Sequence, residues 1–251
     1  MVSRIQICGT VVVEIRGRRC EGRLPGRQGM VLLVFLAANR SRPVPRDELI
    51  DALWPRDLPA RPELALSVLL SKLRSVLGQD SIEGRSALRL AISPVVIDLE
   101  AAATALHEAE SAVAREDWPG AWAPARVAVH TARREILPGM DAPWIAELRR
   151  QLEDIGARAL WVIAASSLRM GGPELPAAER AARALVALLP FRETGHALLM
   201  EVLAAQGDLA EALRVYEDLR QLLGDELGTG PGPAVRELHR HLLQAGAAPA
   251  G

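Results

Sequence analysis

Cysteine and aromatic residues are scarce: the 251-residue chain has two Cys, one Tyr, two Phe and five Trp. Two thiols exclude a small disulfide-stapled fold, and without a secretory leader Cys8 and Cys20 read as reduced, half-buried small hydrophobes. No Cys/His spacing of a zinc site is present, and His239 and His241, two apart, point to different sides of a helix, so no metal is expected. Long apolar runs are missing as well. The longest, Met30 to Ala38, has nine residues, against the roughly 20 that a membrane-spanning helix needs. Arg4 is not followed by the apolar stretch of a signal peptide. The expectation is therefore a cytoplasmic protein without membrane association. There is also no Gly-rich phosphate loop, nucleophile elbow or paired-carboxylate motif, which leaves catalysis without a constellation and implies no cofactor.

What is present is globular usage: 49% hydrophobic and 24% charged residues, with a mean hydropathy of +0.11, enough for one large domain or two ordinary ones. The net charge of −1 hides an asymmetry. Residues 1–93 hold 15 Lys+Arg against 9 Asp+Glu, a net +6, and residues 94–251 hold 15 against 22, a net −7. A basic half followed by an acidic half suggests a polyanion-binding module joined to a protein-binding one, although drift in surface composition gives the same numbers.

The β-branched stretches Arg4–Gly9 and Thr10–Ile15, with Gly17 leading into a third short strand at Arg18-Arg19-Cys20, predict a small antiparallel sheet. Three helices follow. The first runs from Arg27 to Asn39 and the second from Arg46 to Trp54. The third carries Leu66, Leu69, Leu70, Leu73 and Leu77 on one face and stops at Gly78. Asp80 to Ile92, with Gly84 at its tip, reads as a hairpin. This order is that of a winged helix-turn-helix. Pro94 and Asp98-Leu-Glu100 mark the expected boundary, beyond which no strand is predicted. From there helices are expected near 98–115, 119–137, 143–170, 174–189, 192–206, 208–224 and 232–245.

Leu175 with Leu209, Ala178 with Ala212, Ala182 with Tyr216 and Leu185 with Leu219 each stand 34 residues apart, the tetratricopeptide period. A weaker echo, Asp117-Trp-Pro-Gly-Ala121 against Asp208-Leu-Ala-Glu-Ala212, points to about three helix pairs. The expected fold is thus α+β, an N-terminal winged helix-turn-helix (1–93) followed by an all-α tetratricopeptide-like domain (98–246) and a flexible tail (247–251). Trp54, Trp118, Trp122, Trp144 and Trp161 read as core or helix-packing anchors. The acidic Glu108, Glu110, Glu116 and Asp117 read as solvated helix surface.

Several strings, in order, resemble the Streptomyces antibiotic regulatory protein family of actinomycete transcriptional activators. In that family a response-regulator-type (OmpR/PhoB-type) winged helix is fused to a bacterial transcriptional activation domain. The first half contributes Gly26-Arg27-Gln28, Ala38-Asn39-Arg40, Asp47-Glu-Leu-Ile-Asp-Ala-Leu-Trp54 and Leu70-Ser-Lys-Leu-Arg74 with Leu77-Gly78. The second contributes Leu189-Pro-Phe-Arg-Glu193, Ala197-Leu-Leu-Met200, Ala210-Glu-Ala-Leu213, Tyr216, Glu226-Leu-Gly228, Pro231-Gly-Pro233 and Leu238-His239. The resemblance implies an activator, often of specialised metabolism, that binds repeated double-stranded DNA sites near promoters, contacts RNA polymerase and assembles as a homo-oligomer on DNA. Relatives often continue into nucleotide-binding or sensory domains. Ending at Gly251, this chain would take such regulation from a separate partner, or a small-molecule effector, if at all.

With the Leu66, Leu70, Leu73, Leu77 stripe inward, 100° per residue turns Leu64, Val68, Ser71 and Ser75 of the third helix outward, flanked by Arg61, Ser67 and Lys72, with Arg74 nearer the core. Arg, Lys, Asn and Gln are the informative readers of base edges, whereas Ser suits phosphate oxygens and Val or Leu touches a thymine methyl. Relatives typically carry Asn, Thr and Gln where this chain has Leu64, Ala65 and Ser67, and Tyr at the position of Leu88. Arg85 and Ser86 at the hairpin tip suit the adjacent backbone, and Arg89 suits either the backbone or the sheet face. Arg27 and Gln28, opening the first helix, suit a phosphate at a helix N-terminus.

A second reading is a winged-helix adaptor that binds a protein or small ligand, with weak or unspecific DNA binding. In that case the apolar Leu64 and Val68 form a protein interface.

Overall fold

The computed structural model describes residues 2–247, so the expected tail lies, past Ala247, outside the described residues. The chain forms two compact units, one of the chain up to Ala103 with Thr131–Glu153, the other of Thr104–His130 with the chain from Asp154 onward. The expected boundary near residue 94 divides the chain along the sequence, and the compact units divide it differently. In space, 94–103 and 131–153 pack with the N-terminal unit.

In the first unit, β1 (Ser3–Gln6) pairs antiparallel with β2 (Val12–Ile15), setting Ile5 opposite Val13 and Arg4 opposite Glu14. β2 turns into β3 (Arg18–Arg19) through Arg16 and Gly17, both at positive φ, 51° and 84°. Two left-handed residues give the hairpin the twist its strands require, and glycine supplies one of them without strain. The sequence predicts a purely antiparallel sheet and no strand beyond Pro94, and the structure differs on both counts. A further strand, following the first unit's helices in the chain and numbered β7 (Val95–Ile97), runs parallel to β1, giving the order β3-β2-β1-β7. Immediately after it, Asp98 accepts backbone N–H bonds from Ile7 at 2.8 Å, Cys8 at 3.1 Å and Leu99 at 3.0 Å. One carboxylate thereby closes the end of β1 and opens the next helix. Cys8 and Cys20 are free and fully buried rather than half-buried, and burial raises both thiol pKa values.

Helix α1 (Gly26–Ala38) is buried almost all round, from Val31 to Ala37, and forms the core against which α2 (Arg46–Leu53) and α3 (Pro62–Leu77) pack. The buried positions of α3 are Leu66, Leu70, Leu73 and Leu77, the stripe the spacing predicts. Between the first two helices lies β4 (Val44–Pro45). It pairs with one strand of the hairpin β5 (Ile82–Glu83) and β6 (Ala87–Leu90), in the order β4-β6-β5. Gly84 sits at the hairpin turn with φ 98°. A Cβ there would stand 1.9 Å from the Ala87 carbonyl oxygen, so the tip requires glycine.

From Asp98 the chain is mostly helical: α4 (Asp98–Ala114), α5 (Trp118–Ala132), α6 (Pro143–Met170), α7 (Leu175–Leu188), α8 (Glu193–Ala205), α9 (Leu209–Leu227) and α10 (Pro233–Ala247). α5 ends five residues before the predicted Leu137, and Ile136 then forms an isolated bridge with Cys8 and Gly9. In the second unit α8 packs on both α7 and α9, and α10 packs on α8 and α9. Of the eight residues matched at the 34-residue offset, Ala178, Ala182, Leu185, Ala212 and Leu219 are buried, while Leu175, Leu209 and Tyr216 are half-buried. The weaker echo has the same local cause. Asp117 accepts from Gly120 N at 3.0 Å and Asp208 from Glu211 N at 3.2 Å, an identical cap three residues on, each followed by a fully buried alanine, Ala121 and Ala212.

The tryptophans divide. Trp144 donates its indole N–H to the Ala52 carbonyl at 3.1 Å and meets Phe35 edge-on at 4.9 Å. Trp161, expected as an anchor, is 40% exposed and lines a shallow apolar cleft beside the Glu110–Arg158 ion pair of the second unit. His239 stacks on Tyr216 at 3.8 Å. Among the described residues no helix is long and apolar enough to cross a membrane.

Candidate nucleic-acid interface

The outward row of α3 stands where the helical geometry puts it. Leu64 is 56% and Val68 45% exposed, and Ser71 and Ser75 continue the row in solvent. Pro62 at the first position and Gly78 beyond the last define the helix ends. Such a helix, held on its inner face by four leucines and bare on its outer one, has the form that enters a major groove.

Its polar side chains differ in what they already bond. Ser67 donates to the Glu63 carbonyl at 2.8 Å and accepts from Arg46 at 2.9 Å, while Arg46 is ion-paired to Glu63 at 2.6 Å. Arg74 folds back to donate two hydrogen bonds, at 3.1 and 3.0 Å, to the Ile82 carbonyl, bracing the end of α3 against the hairpin. The Ser75 hydroxyl donates to the Lys72 carbonyl at 2.7 Å. Among the described residues Arg61, Lys72 and Arg85 are exposed and carry no ion pair. Arg42, Arg56 and Arg89 are by contrast paired with Glu48, Asp141 and Glu83. Sequence reasoning missed Arg46. Its partners lie 17 and 21 residues along the chain, and no local pattern announces them.

At the hairpin tip Arg85 and Ser86 are exposed, and the Ser86 carbonyl accepts the Arg46 N–H, fastening the hairpin to the start of α2. The start of α1 is less open than its sequence suggests. Arg27 reaches the Gly139 carbonyl at 3.2 Å, and the side-chain oxygen of Gln28 is buried without a hydrogen-bond partner among the described residues. The charge asymmetry survives the spatial regrouping: the first unit holds 19 Lys+Arg against 15 Asp+Glu, a net +4, and the second 11 against 16, a net −5.

A winged helix-turn-helix followed by helix pairs is the architecture that two family models of transcription regulators match in this chain. The chain belongs to the family described as "Bacterial transcriptional activator domain", which matches residues 97–243, while residues 25–88 match "Transcriptional regulatory protein, C terminal". Similar curated proteins include the Regulatory protein AfsR of Streptomyces griseus, 33% identical over 87% of this chain and 22% of that protein. Another is the Transcriptional regulatory protein EmbR of Mycobacterium tuberculosis, 27% identical over 95% of this chain and 62% of that one. The chain thus spans less than a quarter of the length of AfsR. Among solved structures, "Mycobacterium tuberculosis EmbR in complex with low affinity phosphopeptide" superposes with a TM-score of 0.84 over 97% of this chain and 65% of that one. At 23% identity this is a likeness of fold. The resemblance to Streptomyces antibiotic regulatory proteins is borne out by these matches.

Proposed function

We propose that this chain is a transcriptional activator that binds double-stranded DNA, with α3 in a major groove and the β5–β6 hairpin along the adjacent backbone. On this reading it occupies repeated promoter sites as a homo-oligomer in the cytoplasm, and its acidic second unit contacts RNA polymerase. The observation that carries the reading is the exposed row Leu64, Val68, Ser71 and Ser75, flanked by Arg61 and Lys72 without ion-pair partners among the described residues. Cations free of acidic partners suit phosphates, because each contact releases condensed counterions. Ser71 and Ser75 also suit phosphates, and Ser67 and Arg74, bonded to Arg46 and to the Ile82 carbonyl, hold the helix for this role. Direct readout falls to Leu64 and Val68, whose complement in the major groove is the thymine methyl group.

The test is selection from a random duplex library at low and moderate salt, followed by replacement of thymine by deoxyuridine in the selected site. The expected result is a repeated, thymine-containing motif that survives moderate salt. Removal of the methyls should then cost wild-type affinity but not that of a Leu64→Ala, Val68→Ala variant. Unselective binding that vanishes with salt would overturn the readout. Absence of any binding would favour the adaptor reading, for which the same exposed Leu64 and Val68 would be a protein-facing patch.

A further inference from the structure

The first unit holds a cleft of about 570 Å³ whose chemistry is opposite to that of the unit around it. Its walls come from the ends of α1 and α2 and the first turns of α6, with Trp54 and Trp144 as aromatic surfaces. Trp144 is fixed in place: its N–H is held by the Ala52 carbonyl and its ring by the edge contact with Phe35 at 86°. Four charged groups line the cleft, Arg42, Glu48, Asp51 and Glu147, for a net −2 within a unit whose net charge is +4. Arg42 and Glu48 neutralise each other in a hydrogen-bonded pair. Asp51 carries no ion pair among the described residues. Among the described residues the ion pair of Glu147 is with Arg150 of its own helix, with the two side chains 68% and 66% exposed, a contact that solvent weakens.

A fixed Trp144 face beside Trp54, with Asp51 unpaired among the described residues and Glu147 only weakly paired, attracts a cation whose body is apolar: the ring quadrupole and the carboxylates act in the same sense, and the body leaves water. The volume lies within the roughly 300 to 1,000 Å³ typical of small-molecule sites and exceeds what one lysine side chain of a partner would fill. We propose that this cleft binds a small organic cation, a molecule with an apolar body and a protonated amine or quaternary ammonium head. An anion such as a DNA phosphate is excluded by the same charges, and the site is independent of the DNA reading.

The probe is phenyltrimethylammonium, titrated calorimetrically into the full chain, with benzoate as an anion of similar size. The expected result is saturable one-to-one binding of the ammonium and none of benzoate. In the double variant Asp51→Asn, Glu147→Gln, affinity should be about tenfold weaker at an unchanged melting temperature. If that variant does not fold, Asp51→Asn alone, on an exposed side chain, carries the comparison with a smaller expected loss. No saturable ammonium binding, equal binding of benzoate, or undiminished affinity in the folded variant would each overturn the proposal.

Discussion

Arg46 removes Ser67 from the free hydroxyls of α3, because the Ser67 oxygen accepts from Arg46 while its proton goes to Glu63. Helical geometry read from sequence identifies which residues of α3 face outward, and Leu64, Val68 and Ser71 stand in solvent accordingly. It cannot identify which of them another element engages. Arg74 shows the same limit, since its partner is a backbone carbonyl, a group common to every residue and therefore without a sequence signal. Lys72, exposed and without an ion pair among the described residues, is left to act by charge alone. Lys72→Glu should therefore weaken DNA binding and lower the magnitude of the salt slope by about one, whereas Lys72→Arg should leave both near wild type. Titrations of the two variants at several salt concentrations check this, and equal losses in both would assign Lys72 a geometric rather than an electrostatic role.

At the scale of elements, the helices were legible where punctuation marks them: Gly78 ends α3 and Asp208 caps α9, whereas the end of α9, expected at 224, runs on to Leu227 before Gly228 closes it in the left-handed region. β7 was not. It is three residues long, too short to show a period, and its partner β1 lies at the other end of the unit's sequence, with Ser3 opposite Val95. The junction is secured by Asp98, which accepts from three backbone N–H groups. Asp98→Ala leaves the amides of Ile7 and Cys8 without an acceptor at a partly buried site, and the expected loss is about 2 to 3 kcal/mol, read from urea unfolding. A loss below about 0.5 kcal/mol would mean that β1 and β7 hold together without it.

For the molecule as a whole, the titrating groups set a pH window. Hydrogen bonds from Arg42 to Glu48 and from Arg183 to Glu179 hold both carboxylates below their ordinary value of 4.5. Lowered folded-state values favour the native chain above that value, and the benefit is lost as pH falls through them. Burial acts in the other direction on Cys8 and Cys20, raising them from 9.0. Their neutral form is the native one, so stability is retained below about 9 and declines as pH rises beyond it. Urea midpoints should accordingly form a plateau between roughly pH 5 and 9 and fall on both sides. A midpoint that rises steadily across that range would point to a titrating group outside these four.

The central claim, that α3 lies against DNA, has a direct probe in the composition, since Lys72 is the chain's single lysine. Acetylation of its exposed amine by a lysine-selective reagent, followed by mass spectrometry with and without the selected duplex, reports on that one position. The expected result is strong protection of Lys72 by saturating selected duplex and loss of that protection when salt releases the DNA. An unchanged modification rate with the duplex bound would contradict the docking of α3.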